Sequence, residues 1–328
     1  MAKRRRSSKA LFPQRFSSEI TRWRDGDTTK PDPLFILIIN NSALERYPFG
    51  SNRFVPDMNT RADRALFNKA AEYINMNLFG ELNQAEKLLA DSPHSSKIKL
   101  WSMYIEGLQP NNATSLVGEF GRTSLDMFLR PRQDAVVATL ANIGMNPDVV
   151  FLVSKAEGLR ASALAATDDD HGNGIRATFD GREIVHCYYH KSPGMVAIPT
   201  ELATEPDQAD MTPAHEFGHA FSSYSNGFVT DLYRDDDDYS HATLVLNRKA
   251  GRPIPSDFAE YNGVTYLSDP TRNALCYDEF TARTYHSELV NRTRPALMDE
   301  YWERPMRALH DKLTKAYIMD RIAAKVSR

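Results

Sequence analysis

An uninterrupted apolar run near the start of the chain constrains the fold more than any other feature. Leu34 to Ile39 are all aliphatic or aromatic, and Pro33 and Asn40-Asn41 bound the run. Such a run is typical of a strand with both faces covered, because a half-exposed strand alternates apolar and polar residues. The sequence therefore predicts a sheet with helices packed on its faces.

Further periodic segments follow in the order helix, strand, helix, strand, then a hairpin around Asp180-Gly181 and one more strand. This order predicts a mixed α/β (α+β) fold, a helix-covered sheet with an antiparallel edge strand. Pro199 has no N–H to donate, so we expect its strand to lie at the sheet edge. The predicted ranges are a helix over 60–77, a strand over 97–105, a helix over 134–142, a strand over 148–153, the hairpin over 176–189, a strand over 194–199 and a final helix over 304–326.

The overall composition excludes several classes of protein. The chain has 328 residues, 41% of them hydrophobic and 25% charged, which excludes wholesale disorder and fibrous repeats. Its longest apolar run is far shorter than a bilayer span, so we expect no membrane partner. Two cysteines cannot form a disulfide framework.

The positive charge of the chain is concentrated at its start. Residues 1–30 hold nine Lys or Arg against three Asp or Glu, and we expect them to form a disordered basic arm. A single domain over 31–328 is expected to follow, with a sheet-bearing upper part to residue 227 and a loop-rich lower part from 228. A net charge of −3 argues against nucleic acid as the main partner, and only the arm favours it. The arm lacks the apolar segment of a signal peptide, so we expect a cytoplasmic protein, or a secreted one if a leader was removed.

A short helix with clear boundary signals follows the 194–199 strand. Thr212 is a favourable N-cap, Pro213 suits the first helical position, and Asn226-Gly227 is a favourable helix end. The sequence therefore predicts a helix over 213–225.

That helix carries the pattern His-Glu-x-x-His. His215 and His219 are four residues apart, so both imidazoles project from one face, one turn apart. Two such nitrogens can bind one Zn²⁺ at about 2.0–2.1 Å each. Glu216 can then reach a water held by the metal and act as general base and later as general acid. The pattern predicts a zinc centre that hydrolyses the peptide bonds of a peptide or protein substrate.

A catalytic zinc takes a third protein ligand, and two carboxylates are candidates. Asp231 follows the predicted helix end by four residues, which is enough extended chain to return to the metal. Glu279 lies in a predicted helical segment further along the chain. His241 and His286 are weaker candidates, because neither has a supporting local pattern.

His215-Glu-Phe-Gly-His219 with Asp231-Leu-Tyr233 resembles the IgA-peptidase family of metzincin-like zinc peptidases. The order of predicted strands and helices extends this resemblance over roughly residues 33–233. The resemblance implies a metzincin-like zincin fold with Asp231 as third ligand. It also implies a methionine turn under the metal, for which Met298 is the candidate.

Two departures from that family keep Glu279 open as the third ligand. Metzincins break the helix at a glycine about one turn after the second histidine, whereas Ser222 and Ser223 stand there in this chain. Asp231-Leu-Tyr233 also lacks the family's middle glutamate. Glu279-Phe-x-Ala282 is similar to the glutamate helix of the gluzincin anthrax lethal factor. The upstream order of elements favours Asp231.

The expected function is that of a zinc-dependent endopeptidase. Two alternatives stay open: a zinc amidase or dedicated processing protease for one partner, and a non-catalytic binding protein on a zincin scaffold. The intact His215, Glu216 and His219 argue against the binding protein.

Overall fold

The computed structural model describes residues 17–26, 33–80, 87, 89–121, 127–164, 166–167, 175–179, 182–186, 192–203, 211–221, 223–225, 228–230, 260–261, 264–265, 297 and 312–326. The helices in this part of the chain are α1 (Arg64–Leu78), α2 (Gln133–Ile143), α3 (Thr212–Phe221) and α4 (Lys312–Val326). The strands are β1 (Ser17–Arg24), β2 (Leu34–Asn40), β3 (Ala43–Glu45), β4 (Phe54–Pro56), β5 (Ile98–Glu106), β6 (Val117–Gly121), β7 (Met127–Pro131), β8 (Val149–Ser154), β9 (Ser162–Leu164), β10 (Ala166–Thr167), β11 (Ile175–Phe179), β12 (Arg182–His186), β13 (Gly194–Pro199), β14 (Ser223–Ser225), β15 (Phe228–Thr230), β16 (Glu260–Tyr261) and β17 (Val264–Thr265).

A six-stranded sheet in the order β1-β5-β2-β8-β13-β9 forms the centre of the fold. The four inner strands run parallel, and β1 and β9 pair antiparallel at the two edges. A smaller sheet in the order β4-β3-β6-β7 lies beside it, with β7 against β9. The predicted mixed α/β class is confirmed, and the antiparallel strands at the edges are β1 and β9.

Side chains of β2 alternate between two separate cores. Leu34, Ile36 and Ile38 face a core shared with α1, α3 and α4. The alternate side chains of β2 face a second core shared with α2. Every residue of β2 is buried, so the prediction of a strand covered on both faces is confirmed.

The strand that ends in Pro199 is not the edge strand, and that prediction was wrong. β13 lies between β8 and β9. The physical reason is the shortness of β9, which pairs only with residues 195–197 of β13. Pro199 lies beyond this short partner, so its missing N–H removes no bond to β9.

Part of the predicted disordered arm is a strand, which corrects that prediction for residues 17–24. β1 pairs antiparallel with β5 along its whole length. Trp23 packs against the core and donates from Nε1 to Ser102 Oγ at 3.0 Å. Arg24 stacks its guanidinium 3.6 Å from the centre of the Phe79 ring. Residues 1–16 lie outside the described part of the chain.

The other predicted elements are present with small shifts in their bounds. Helix α1 starts at Arg64 rather than near residue 60, because Asp63 accepts hydrogen bonds from the backbone N–H and hydroxyl of Thr60 and forms a turn there. Helix α2 ends at Gly144 in the left-handed conformation, with φ 68°. The hairpin pairs β11 with β12 across Asp180-Gly181. Helix α4 confirms the final helix over 312–326. No helix in the described residues is long and apolar enough to cross a membrane.

Candidate metal centre

Helix α3 carries the His-Glu-x-x-His pattern in a buried position. It packs against β13, β9 and α1, and all its residues except His219 are buried. The helix ends at Phe221, so the predicted extension to residue 225 was wrong. β14 begins at Ser223 and pairs with β15 up to Ser225 and Phe228. Asn226-Gly227 therefore connects two paired strands, and Asn-Gly is a favoured hairpin dipeptide.

The start of α3 also differs from the prediction. Thr212 is the first helical residue rather than the N-cap, because the N–H of His215 donates to the carbonyl of Met211 in the first helical hydrogen bond. A side-chain oxygen from another helix accepts a hydrogen bond from the first turn of α3 instead. Asn77 of α1 accepts at Oδ1 from the N–H of Ala214 at 2.9 Å.

Gly194 lets the far end of α3 lie directly on the sheet. A Cβ atom at this first residue of β13 would stand 2.0 Å from the carbonyl oxygen of Ala220. The rings of Phe217 and Phe221 stack with their centres 5.2 Å apart and belong to the core on that face. The helix is thereby fixed at both ends.

The two histidines of the pattern come together. Nε2 of His215 and Nε2 of His219 are 3.2 Å apart, and their rings meet edge to face at 80°. Two nitrogens that each lie about 2.0–2.1 Å from one tetrahedral zinc are about 3.3 Å apart. These two nitrogens therefore have the spacing of two ligands of one metal ion.

A backbone carbonyl sets the tautomer of His215. Nδ1 of this ring lies 2.6 Å from the carbonyl oxygen of Leu297. A carbonyl oxygen only accepts, so Nδ1 carries the proton and Nε2 of the neutral ring has a lone pair. That nitrogen faces His219, as a metal ligand requires.

Leu297 approaches the pattern from a distant part of the sequence. Its side chain is fully buried in a small apolar cluster with Met211 and Ala214. This cluster lies beside the first turn of α3. Met298, the predicted methionine turn, is the next residue in sequence and lies outside the described residues.

The carboxylate of the pattern is buried with its neighbours. Glu216 is 7% exposed and His215 is 8% exposed, whereas His219 is partly exposed. Glu216 directly follows the first histidine, which is the position of the general base in a His-Glu-x-x-His pattern.

The third ligand is not decided by the described residues. Asp231 and Glu279 both lie outside them, as do His241 and His286. Within the described ranges no three His, Cys, Asp or Glu side chains group closely enough to hold a metal ion.

Three residues that serve the site were not found from the sequence. They are Asn77, Gly194 and Leu297, and each acts through backbone atoms or across a long sequence separation. Only Gly194 carried a signal, since a glycine in a strand often marks a close backbone approach. No protein-family model matches this chain. No curated protein matches it either.

Proposed function

We propose that the chain is a zinc-dependent endopeptidase with a metzincin-like architecture. The observation that carries the proposal is the 3.2 Å separation of the two Nε2 atoms on one buried helix. The tautomer of His215, fixed by Leu297, adds to it. An N–H···N hydrogen bond between the two rings would have the same length, so the zinc content distinguishes the two interpretations.

The side chains of the pattern divide the chemistry between them. His215 and His219 would hold the zinc, which when bound polarises a water and lowers its pKa toward ~7. Glu216 would accept a proton from the attacking water as the water oxygen bonds to the carbonyl carbon of the peptide. It would then donate that proton to the amide nitrogen as the C–N bond breaks.

Two observations favour Asp231 over Glu279 as the third ligand. Helix α3 ends two residues after His219, about where metzincins break the helix, although Ser222 and Ser223 stand there instead of a glycine. The carbonyl of Leu297, the residue directly before Met298 in sequence, lies 2.6 Å from Nδ1 of His215, which supports Met298 as the candidate methionine turn. The antiparallel edge strand β9 beside α3 also agrees with the metzincin-like resemblance.

The test of the site is the zinc content of the purified protein, measured by elemental analysis. We expect about one zinc per chain. Zinc should be lost in His215→Ala and in Asp231→Ala and kept in Glu279→Ala. His94→Ala is the matched control, because His94 lies far from α3 in sequence and is partly exposed. No zinc in the parent after metal-supplemented refolding would refute the site. Loss in His215→Ala and Glu279→Ala but not in Asp231→Ala would select the gluzincin-like ligand.

The test of the mechanism is Glu216→Gln, assayed on a mixture of peptides. We expect this variant to bind zinc and to lose hydrolysis by about 10²-fold or more, the range of general acid–base catalysis. Glu72→Gln, an exposed glutamate on α1, is the control. Hydrolysis at the parent rate in Glu216→Gln would refute the mechanism. Zinc binding without turnover in the parent would favour the non-catalytic scaffold.

A further inference from the structure

The buried amide of Asn77 connects the end of α1 to the start of α3. We propose that Asn77 is a positioning residue for the metal centre: it caps α3 from outside that helix and thereby fixes the backbone from which His215 projects. The cap itself follows from the structure alone. Its expected effect on zinc binding rests on the proposed function.

Helix α3 has no oxygen of its own at the N-cap. Met211 occupies this position, because its carbonyl accepts the first helical hydrogen bond from His215. A methionine side chain has no oxygen to offer to the first-turn N–H groups, which a helix cannot satisfy internally. The residue three positions after the N-cap, whose N–H a capping side chain commonly binds, is Ala214.

Asn77 supplies the missing acceptor. Its Oδ1 accepts from the N–H of Ala214 at 2.9 Å, and its Nδ2 lies 3.5 Å from the sulfur of Met211. Asn77 is 2% exposed and Ala214 is 7% exposed. Water has little access to this N–H, so losing Asn77 would leave a buried donor unsatisfied.

The capped N–H belongs to the residue directly before the first histidine. His215 is then held from two sides: its backbone through Asn77 and its ring through Leu297. Partners beyond the direct ligands typically change metal affinity by about 10- to 100-fold when they are removed. We expect an effect of that size from Asn77.

The test compares Asn77→Leu, Asn77→Asp and Asn75→Leu with the parent. The leucine has a similar volume and no acceptor, whereas the aspartate keeps an oxygen that suits a helix N-terminus. Asn75 is the matched control, because it lies in the same turn of α1 and accepts from Arg24 instead. Asn77→Ser, whose hydroxyl is too short to reach Ala214, replaces the leucine variant if that variant does not fold.

Two readouts separate this inference from the proposed function. Hydrogen exchange of residues 212–221 without metal reports the cap, and the zinc Kd, measured against a chelator, reports the positioning. We expect Asn77→Leu to exchange faster only in this segment and to bind zinc about 10- to 100-fold more weakly, with recovery in Asn77→Asp. If hydrogen exchange in Asn77→Leu matched that of the parent, Asn77 would not cap α3. If the zinc Kd of Asn77→Leu were unchanged, Asn77 would not position the metal centre. If the parent binds no zinc, the proposed function is refuted. The hydrogen-exchange measurement then tests the capping of α3 by itself.

Discussion

Gly194 shows how one residue determines where the helix with the His-Glu-x-x-His pattern can lie. At this position β13 and α3 come closer than any side chain allows, because the nearest atoms are the backbone of Ala220. Backbone atoms in a packed helix cannot rotate away as a side chain can. The position of α3 on the sheet therefore depends on the absence of one methyl group.

We predict that Gly194→Ala displaces α3 and destabilises the protein by about 1–3 kcal/mol or more, the usual cost of overpacking a core. Zinc affinity should fall as well. Urea unfolding and the zinc content check these outcomes. Gly107→Ala is the control, since its Cβ would meet no atom within 4 Å and its φ of 80° adds only backbone strain. A Gly194→Ala variant as stable as the parent would contradict the close approach.

The buried carboxylate of Asp57 joins the ends of two parallel strands, β2 and β8. Its carboxylate accepts from Asn41 Nδ2 at 2.8 Å, from Ser154 Oγ at 2.6 Å and from the N–H of Lys155 at 3.0 Å. Burial raises the pKa of Asp57, although these hydrogen bonds act to lower it. The folded protein therefore binds this proton more tightly than the unfolded chain.

The raised pKa predicts the direction in which the stability contribution of Asp57 changes with pH. The contribution of Asp57 to the free energy of unfolding should decrease as the pH rises from 3.8, the ordinary pKa, through the raised pKa of the folded state. The stability difference between the parent and Asp57→Ala should be larger at about pH 4 than at about pH 7. Urea unfolding at the two pH values measures it, with the exposed Asp91→Ala as control. A difference that grows with pH would contradict the raised pKa.

At the scale of elements, the sequence predicts the inner sheet well. The four parallel strands lie within one residue of their predicted bounds, because strands covered on both faces have continuous apolar runs. β1 was missed because only Ile20 and Trp23 of its eight residues are apolar, so the segment resembles a solvated arm. The end of α3 was misplaced because Asn226-Gly227 suits both a helix end and a hairpin turn.

Part of the candidate site was predictable because the pattern that forms it is local in sequence. The spacing of His215 and His219 is local and follows from helix geometry. The contacts of Asn77 and Leu297 join residues 137 and 82 positions from their partners, and no local pattern encodes them. The choice between Asp231 and Glu279 depends on such distant contacts too.

The pairing of β1 predicts different outcomes for two N-terminal deletions. Removing residues 1–16 should leave the stability unchanged, whereas removing 1–26 should destabilise the protein by about 3 kcal/mol or more, since it removes the partly buried Trp23 together with the whole β1–β5 pairing. Thermal unfolding of both proteins checks this. Equal stability of the two would show that β1 contributes nothing. The shorter deletion also removes six basic residues and keeps β1, so it is the proper variant for testing salt-dependent DNA binding.

At the scale of the whole molecule, metal binding and folding should be coupled. Under the proposed function, zinc binds only the folded arrangement of His215 and His219, so it should stabilise the protein by about 2.7 kcal/mol at 100 times its Kd. The melting temperature should rise with zinc and fall with a chelator. His215→Ala should respond to neither. An equal response in that variant would assign the effect to another site.

The bond between His215 and Leu297 has a consequence for the timing of synthesis. A chain leaves the ribosome from its N-terminus, so the sheet and α3 emerge well before the carbonyl that orients the histidine. At about 5–20 residues per second, the interval between Phe221 and Leu297 is roughly 4–15 s. During that interval the nascent chain displays the whole His-Glu-x-x-His pattern while the first imidazole still lacks its orienting partner. Under the proposed function, maturation of the metal centre therefore follows, rather than accompanies, completion of the central sheet.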